Sequence, residues 1–234
     1  MNNINIPPVV KNLLIINSIF LFASWIFGRQ GEDFFTRYLA VFYFDSPFFN
    51  VWQPITYMFM HADITHLFFN MFGLFMFGGI LEQKWGAKRF INFYLITGLG
   101  ALALQWAVQA FEVYQITGSV VNNLQTINVS SAEDVNKLRE VYFGPMVGAS
   151  GAIFGVLTAF AVLYPNVELM LMFIPFPIKA KYFIPIYIVI ELFLGVARIQ
   201  GDSVAHFAHL GGALIGFILV KLWKDKDRFY DYYE

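Results

Sequence analysis

Ser150 stands in the stretch MVGASGAIFG, between Gly148 and Gly151, and beyond it the chain runs without a fixed charge to Tyr164. A hydroxyl in such a run can be buried, can permit close packing, or can react. Serine is a weak nucleophile and needs an adjacent base. The chain holds four histidines, His61, His66, His206 and His209. Imidazole, with a reference pKa of about 6.5, can serve as that base at neutral pH. Attack on a carbonyl also needs donors aimed at the developing oxyanion. An Asn amide, a His N–H and the free N–H groups of a helix start all suit. His66 and Asn70 lie four apart in HADITHLFFN, on one face if that stretch is helical. His206 and His209 lie in AHFAHLGGALIG. Gly148 and Gly151 let the backbone approach a substrate carbonyl. The Gly-x-Ser-x-Gly elbow of soluble hydrolases is absent, because Ala152 takes its last position.

Each of these residues also has a plain reading. Ser150 can be a small residue in a helix contact, and His209 a packed histidine bonded to a carbonyl. His66 and Asn70 can bond helix to helix. His61 and His206 read as structural.

These groups need elements to hold them. Of 234 residues, 58% are hydrophobic and only 13% charged. A soluble domain carries about a quarter charged residues, so the composition points to a single polytopic membrane domain over 1–234. The net charge of −1 gives nucleic-acid binding no electrostatic support. With no cysteine, disulfides and thiolate metal sites are excluded.

A spanning helix needs about 20 apolar residues. Six such stretches are read, at about 9–27, 65–82, 90–111, 147–164, 182–197 and 204–223. The fold class is therefore an all-α membrane protein. No small-residue cleavage site follows the first stretch, so it is kept as an uncleaved span. Six spans put both termini on one side, with ten Lys and Arg: Lys11, Lys84, Lys88, Arg89, Lys179, Lys181, Lys221, Lys224, Lys226 and Arg228. The other side holds five: Arg29, Arg37, Lys137, Arg139 and Arg198. The richer side is expected to be cytoplasmic.

On that topology Ser150, His66, Asn70 and His209 sit at a similar depth near the outer ends of three spans. Gly151 and Gly155 on the fourth span, and Gly212 and Gly216 on the sixth, are spaced to let helix backbones approach. That approach would bring His209 to Ser150. The aromatic first outer loop, 28–62, is too apolar for a solvated linker. The second, 112–145, is polar, with a short helix expected after Ser131. Asn128-Val129-Ser130 forms a glycosylation sequon. Three prolines from Pro165 to Pro177 forbid a continuous helix on the inner side. Glu82 is expected to bond a loop or helix end. Glu191, inside the fifth span, could snorkel, pair or face an aqueous cavity.

Taken in order, HADITHLFFN, GGILEQKWG, GASGAIFG and AHLGGALIG resemble the rhomboid intramembrane serine proteases. The resemblance runs from the first span to the sixth. It implies the six-helix rhomboid core and cleavage of transmembrane substrates near the outer face of the bilayer. It implies Ser150 as nucleophile, His209 as general base, and His66, Asn70 and the Ser150 backbone N–H as the oxyanion hole. It implies no metal and no cofactor. The family works as a dyad, and Asp202 is read as a solvated loop residue. Phe154 takes the place of a family tyrosine that packs on the catalytic histidine. Trp52-Gln53 takes the place of a Trp-Arg pair in the first outer loop. Short tails and the lack of a large extra domain point to a bacterial inner membrane. Two other classes stay open: an inactive rhomboid-fold binding protein, and a metal-binding protein using His61, His66, His206 and His209.

Overall fold

The computed structural model describes residues 6–27, 34–127, 129, 131–170, 176–197 and 204–230, with 224–230 as backbone alone. Helix α1, Pro8–Phe27, opens with a proline, whose fixed φ suits a first turn. After α2, Phe34–Leu39, and the short α3, Gln53–Thr56, the chain turns into α4, Ile64–Gly73. A wide π turn at Leu74–Gly78 joins α4 to α5, Gly79–Trp85, so the three pieces make one span. Gly86, at φ 78°, makes the tight corner into α6, Ala87–Thr117. Then come α7, Ala132–Phe143, α8, Ser150–Leu163, α9, Ala180–Ala197, and α10, His206–Tyr230. A two-residue hairpin, β1 Glu168–Leu169 against β2 Ile178–Lys179, stands where the prolines forbid a helix.

Among the described residues, five helices are long and apolar enough to cross a membrane: Pro8–Phe27, Ile64–Trp85, Ala87–Thr117, Ala180–Ala197 and His206–Trp223. The fourth expected span differs. Its helix begins at Ser150, three residues later than the hydropathy suggests, and has 14 residues. At 1.5 Å per residue it is about 21 Å long, against about 30 Å of hydrocarbon. The reason is Gly148, at φ 134°, which breaks the helix before Ser150. The third expected span ends too early at 111. Helix α6 runs on to Thr117, where Gly118 at φ 75° caps it.

Short α8 is the centre of the molecule. Every residue from Gly151 to Ala161 is buried. α6 and α10 enclose it on one side, with α9 and the π turn also in contact. Glu82 answers the expectation for it. Its carboxylate accepts the N–H groups of Val9 at 2.9 Å and Val10 at 2.8 Å, two of the unpaired donors at the start of α1. Outside this bundle the two outer loops build a second small core from Tyr43, Val113, Leu138, Val141 and Tyr142. The Tyr142 hydroxyl donates to Asp45 at 2.9 Å, and Ser131 caps α7 by accepting from the Glu133 N–H. Burial pushes the Tyr142 phenol up to about 12. The second outer loop is therefore packed against the first, and its helix lies where Ser-Ala-Glu-Asp foretells.

Candidate active site

Ser150 is held from the loop before it. Val41 and Met146 exchange backbone hydrogen bonds of 3.0 and 2.8 Å, and the Gly148 N–H donates to the Tyr57 carbonyl at 3.0 Å. The Tyr57 hydroxyl in turn donates to the Gly98 carbonyl on α6 at 2.8 Å. The first outer loop is thus the splint that aims the serine. Gly148 cannot be replaced freely. Its φ of 134° lies in a region L side chains avoid, and a Cβ there would stand 2.9 Å from His66 Nε2. Ser150 is the first residue of α8, and no side chain caps that end. Its backbone N–H has no carbonyl four residues earlier within a helix to bond.

His209 lies in the first turn of α10 and is buried. Its Nε2 is 2.8 Å from Ser150 Oγ. The ring stacks on Phe154, with centroids 4.4 Å apart and planes 9° apart. Glycines set this approach. A Cβ on Gly212 would collide with the Gly151 carbonyl, and one on Gly216 would lie 2.7 Å from Gly155 Cα. The two glycines of α8 play a different part from the one expected. A Cβ on Gly151 would meet Ala101, and one on Gly155 would lie 2.6 Å from Thr97 Cβ, both on α6. So Gly212 and Gly216 seat α10 on α8, while Gly151 and Gly155 make room for α6.

Glu191 of α9 is 5% exposed and completes the cluster. Its Oε2 lies 2.7 Å from His206 Nδ1 and 2.8 Å from His209 Nδ1. Pairing settles what the sequence left open for this residue. It also shows why His206 is structural: its ring holds the carboxylate. The signal was present in the sequence as an acid in an apolar span followed by two histidines, but only the fold says that they meet.

On the opposite wall, Asp63 caps α4 by accepting the His66 N–H at 2.8 Å. That cap fixes the first turn carrying His66. The ideal Cβ point of Gly148 lies 2.9 Å from His66 Nε2 and 3.5 Å from Ser150 Oγ, so imidazole and hydroxyl flank one small volume. Asn70, one turn on, is 6% exposed, and its Nδ2 donor has no partner among the described residues. Both residues line the same cleft as Ser150 and His209. His61 packs its ring against that of His66, centroids 5.0 Å apart. Burial first, and the neighbouring His66 next, push the His61 pKa down to about 3.

Among the described residues the four histidines do not gather into one ligand cluster; His61 meets His66, and His206 and His209 meet Glu191. A different group, Glu191, His206 and His209, places three ligand atoms within 4.8 Å of one another. Hydrogen bonds alone account for that closeness. In the first outer loop, Gln53 is fully buried and donates to the Phe48 carbonyl at 3.0 Å. Arg37 donates to the same carbonyl at 3.2 Å and lies over the Phe48 ring. Trp52 donates to the Tyr38 carbonyl at 2.8 Å. A glutamine helped by a distant arginine thus anchors this loop. Arg29, Arg198, Asp202, Pro175, Asn128 and Ser130 lie outside the described residues, as do the side chains of Lys224, Lys226 and Arg228.

The Rhomboid domain family matches residues 49–224, which include every residue of this site. The chain belongs to the rhomboid family. Among the relatives of this rhomboid chain is Rhomboid protein 1, mitochondrial, of Saccharomyces cerevisiae, 27% identical over 68% of this chain and 38% of that protein. Rhomboid protease AarA of Providencia stuartii is 30% identical over 72% of this chain and 54% of that protein. RHOMBOID-like protein 2 of Arabidopsis thaliana is 32% identical over 72% of this chain and 41% of that protein. The chain therefore spans about half or less of the length of these relatives. They come from mitochondria, a bacterium and a plant, so family membership does not fix the host membrane.

Proposed function

We propose that this rhomboid is an intramembrane serine endopeptidase that cuts transmembrane segments of other membrane proteins near the outer face of the bilayer. The observation that carries the reading is the 2.8 Å approach of His209 Nε2 to Ser150 Oγ. In the proposed reaction Ser150 Oγ attacks the scissile carbonyl carbon and its proton passes to His209 Nε2. The carbonyl oxygen gains the negative charge and is met by His66, Asn70 and the Ser150 N–H. Collapse breaks the C–N bond, and His209 returns the proton to the leaving amine. Water then attacks the acyl-enzyme, again losing a proton to His209, and the serine is released. The uncapped start of α8 supports the oxyanion role, since the positive end of the helix dipole points there. The unpaired Asn70 amide supports it too, because a buried donor without a partner is costly unless a ligand uses it.

The test is direct. Purified protein is expected to react with a serine-directed fluorophosphonate and to cleave a model transmembrane substrate. Ser150→Ala and His209→Ala are each expected to abolish cleavage while remaining folded in detergent, because nucleophile and base act as a unit. Substantial turnover by Ser150→Ala would remove the serine-protease reading. Absence of labelling and of cleavage in wild type would favour a rhomboid-fold binding protein instead. Placement of both termini on the cytoplasmic side of a bacterial inner membrane belongs to this proposal. Its support for the side is the count of Lys and Arg on the two faces, ten against five.

A further inference from the structure

A carboxylate in hydrocarbon is expensive and is usually held by partners. Glu191 has two, and their arrangement has chemical content. Along α9, Tyr187, Glu191 and Gly195 are spaced four apart and form one stripe. Tyr187 packs its ring 4.9 Å from Phe154 on α8, and a Cβ on Gly195 would lie 3.1 Å from His206 Cβ on α10. The stripe therefore faces the catalytic pair. An ionised carboxylate only accepts hydrogen bonds. Both Nδ1 atoms that meet Oε2 must then carry hydrogen, and the lone pair of neutral His209 is left on Nε2. That atom is the one 2.8 Å from Ser150 Oγ.

Resting on the serine-protease reading above, we propose that Glu191 is a positioning residue that makes this site a Ser150–His209–Glu191 triad, with His206 as the second donor that orients the carboxylate. The carboxylate accepts no proton in the reaction. When the Ser150 proton moves to His209 Nε2, the ring becomes an imidazolium, and its Nδ1–H already points at a negative charge. When Nε2 passes that proton to the leaving amine, the ring returns to the same tautomer. His206 holds the second Oε2 contact, so the carboxylate does not have to rotate between steps. Because Glu191 comes from α9, the link also ties the third member of the site to a helix on the rim of the cleft.

The experiment compares wild type with Glu191→Gln, which keeps the shape and removes the charge. In a soluble Ser-His-Asp protease of unrelated fold, an amide at the acid position costs on the order of 10⁴-fold in kcat. The expectation here is a kcat loss of about 100-fold or more, with KM little changed. The pH profile carries the argument. Ionisable groups near His209 are Glu191 and Tyr187 from α9, His206 on α10 and His66 on α4. Without the Glu191 charge the imidazolium is less stabilised, so the acidic limb of kcat moves to lower pH. A carboxylate that only ties α9 to α10 would lower the melting temperature or raise KM and leave that limb in place, and this result overturns the proposal.

Should Glu191→Gln fail to fold, ¹⁵N-histidine spectra of wild type decide the matter among four rings. His206 and His209 are expected as Nδ1–H tautomers, and Nε2–H tautomers overturn the triad. Activity is expected to survive a chelator. Loss that zinc restores would make the cluster a metal site and likewise overturn it. Ser150→Ala in the same assay separates the two ideas. If it is active, the protease reading itself fails. If it is inactive while Glu191→Gln keeps wild-type kcat and limb, only the triad fails.

Discussion

At the residue scale, the site has two walls with different duties. One wall, α8 and α10, holds the Ser150 hydroxyl against the His209 ring. The other, α4, carries His66 and Asn70. Asn70 Nδ2 is buried and unpaired, which is a cost that a bound oxyanion would relieve. Removing such a donor typically lowers rate by about 100- to 1,000-fold. Asn70→Ala is therefore expected to cut kcat by about that factor while fluorophosphonate labelling of Ser150 persists more slowly. His66→Ala should behave in the same way. Single-turnover cleavage measures both, and wild-type rates in the two variants would reduce these side chains to helix ties.

At the element scale, the Ser150–His209 contact depends on how closely α10 lies on α8. Gly212 has no room for even a methyl group, since its Cβ position is filled by the Gly151 carbonyl. Overpacking of this kind costs about 1–3 kcal/mol and shifts backbones. Gly212→Ala is expected to lower the melting temperature in detergent and to slow cleavage, because α10 must retreat and take His209 with it. Ser150→Ala should lose cleavage with no fall in melting temperature, so the pair separates architecture from chemistry. Unchanged melting and cleavage in Gly212→Ala would show that the helices adjust without moving the base. The short length of α8 has a consequence at this scale as well. A helix of about 21 Å cannot reach both faces of about 30 Å of hydrocarbon.

At the scale of the whole molecule, the cleft at Ser150 is walled by Phe69 and Phe72 of α4 and by Phe183 and Tyr187 of α9. Apolar walls from two different spans suit a substrate helix that arrives sideways from lipid. Such a helix hides its carbonyls in its own hydrogen bonds and must unwind to be cut. Pro and Gly make unwinding easier, since they are worse helix residues than Ala by about 3 and 1 kcal/mol. A leucine scan across a cleaved substrate is therefore expected to slow cleavage wherever small or helix-breaking residues are replaced around the cut. Mass spectrometry of the products should place the cut near the outer face. Uniform rates, or a cut on the cytoplasmic side, would overturn this entry and depth.

Hydropathy alone marked the apolar stretches, because a spanning helix must satisfy its backbone within about 20 apolar residues whatever surrounds it. Residue type and spacing singled out Ser150, His209, His66 and Asn70, and only the resemblance of their motifs to the rhomboid proteases supplied the roles expected of them. Pattern also foretold the α7 cap at Ser131 and the bond partner role of Glu82. Two things lay beyond the chain read as a string. The start of α8 is one, since hydropathy runs unbroken through Val147 while a positive φ at Gly148 ends the extended loop there. Glu191 is the other: it lies 15 residues before His206 and 18 before His209, with residues 198–205 between the helices. No local period connects those positions. Only the packing of α9 beside α10 puts the carboxylate against both rings, and long-range contact of that kind is decided by side-chain fit between helices.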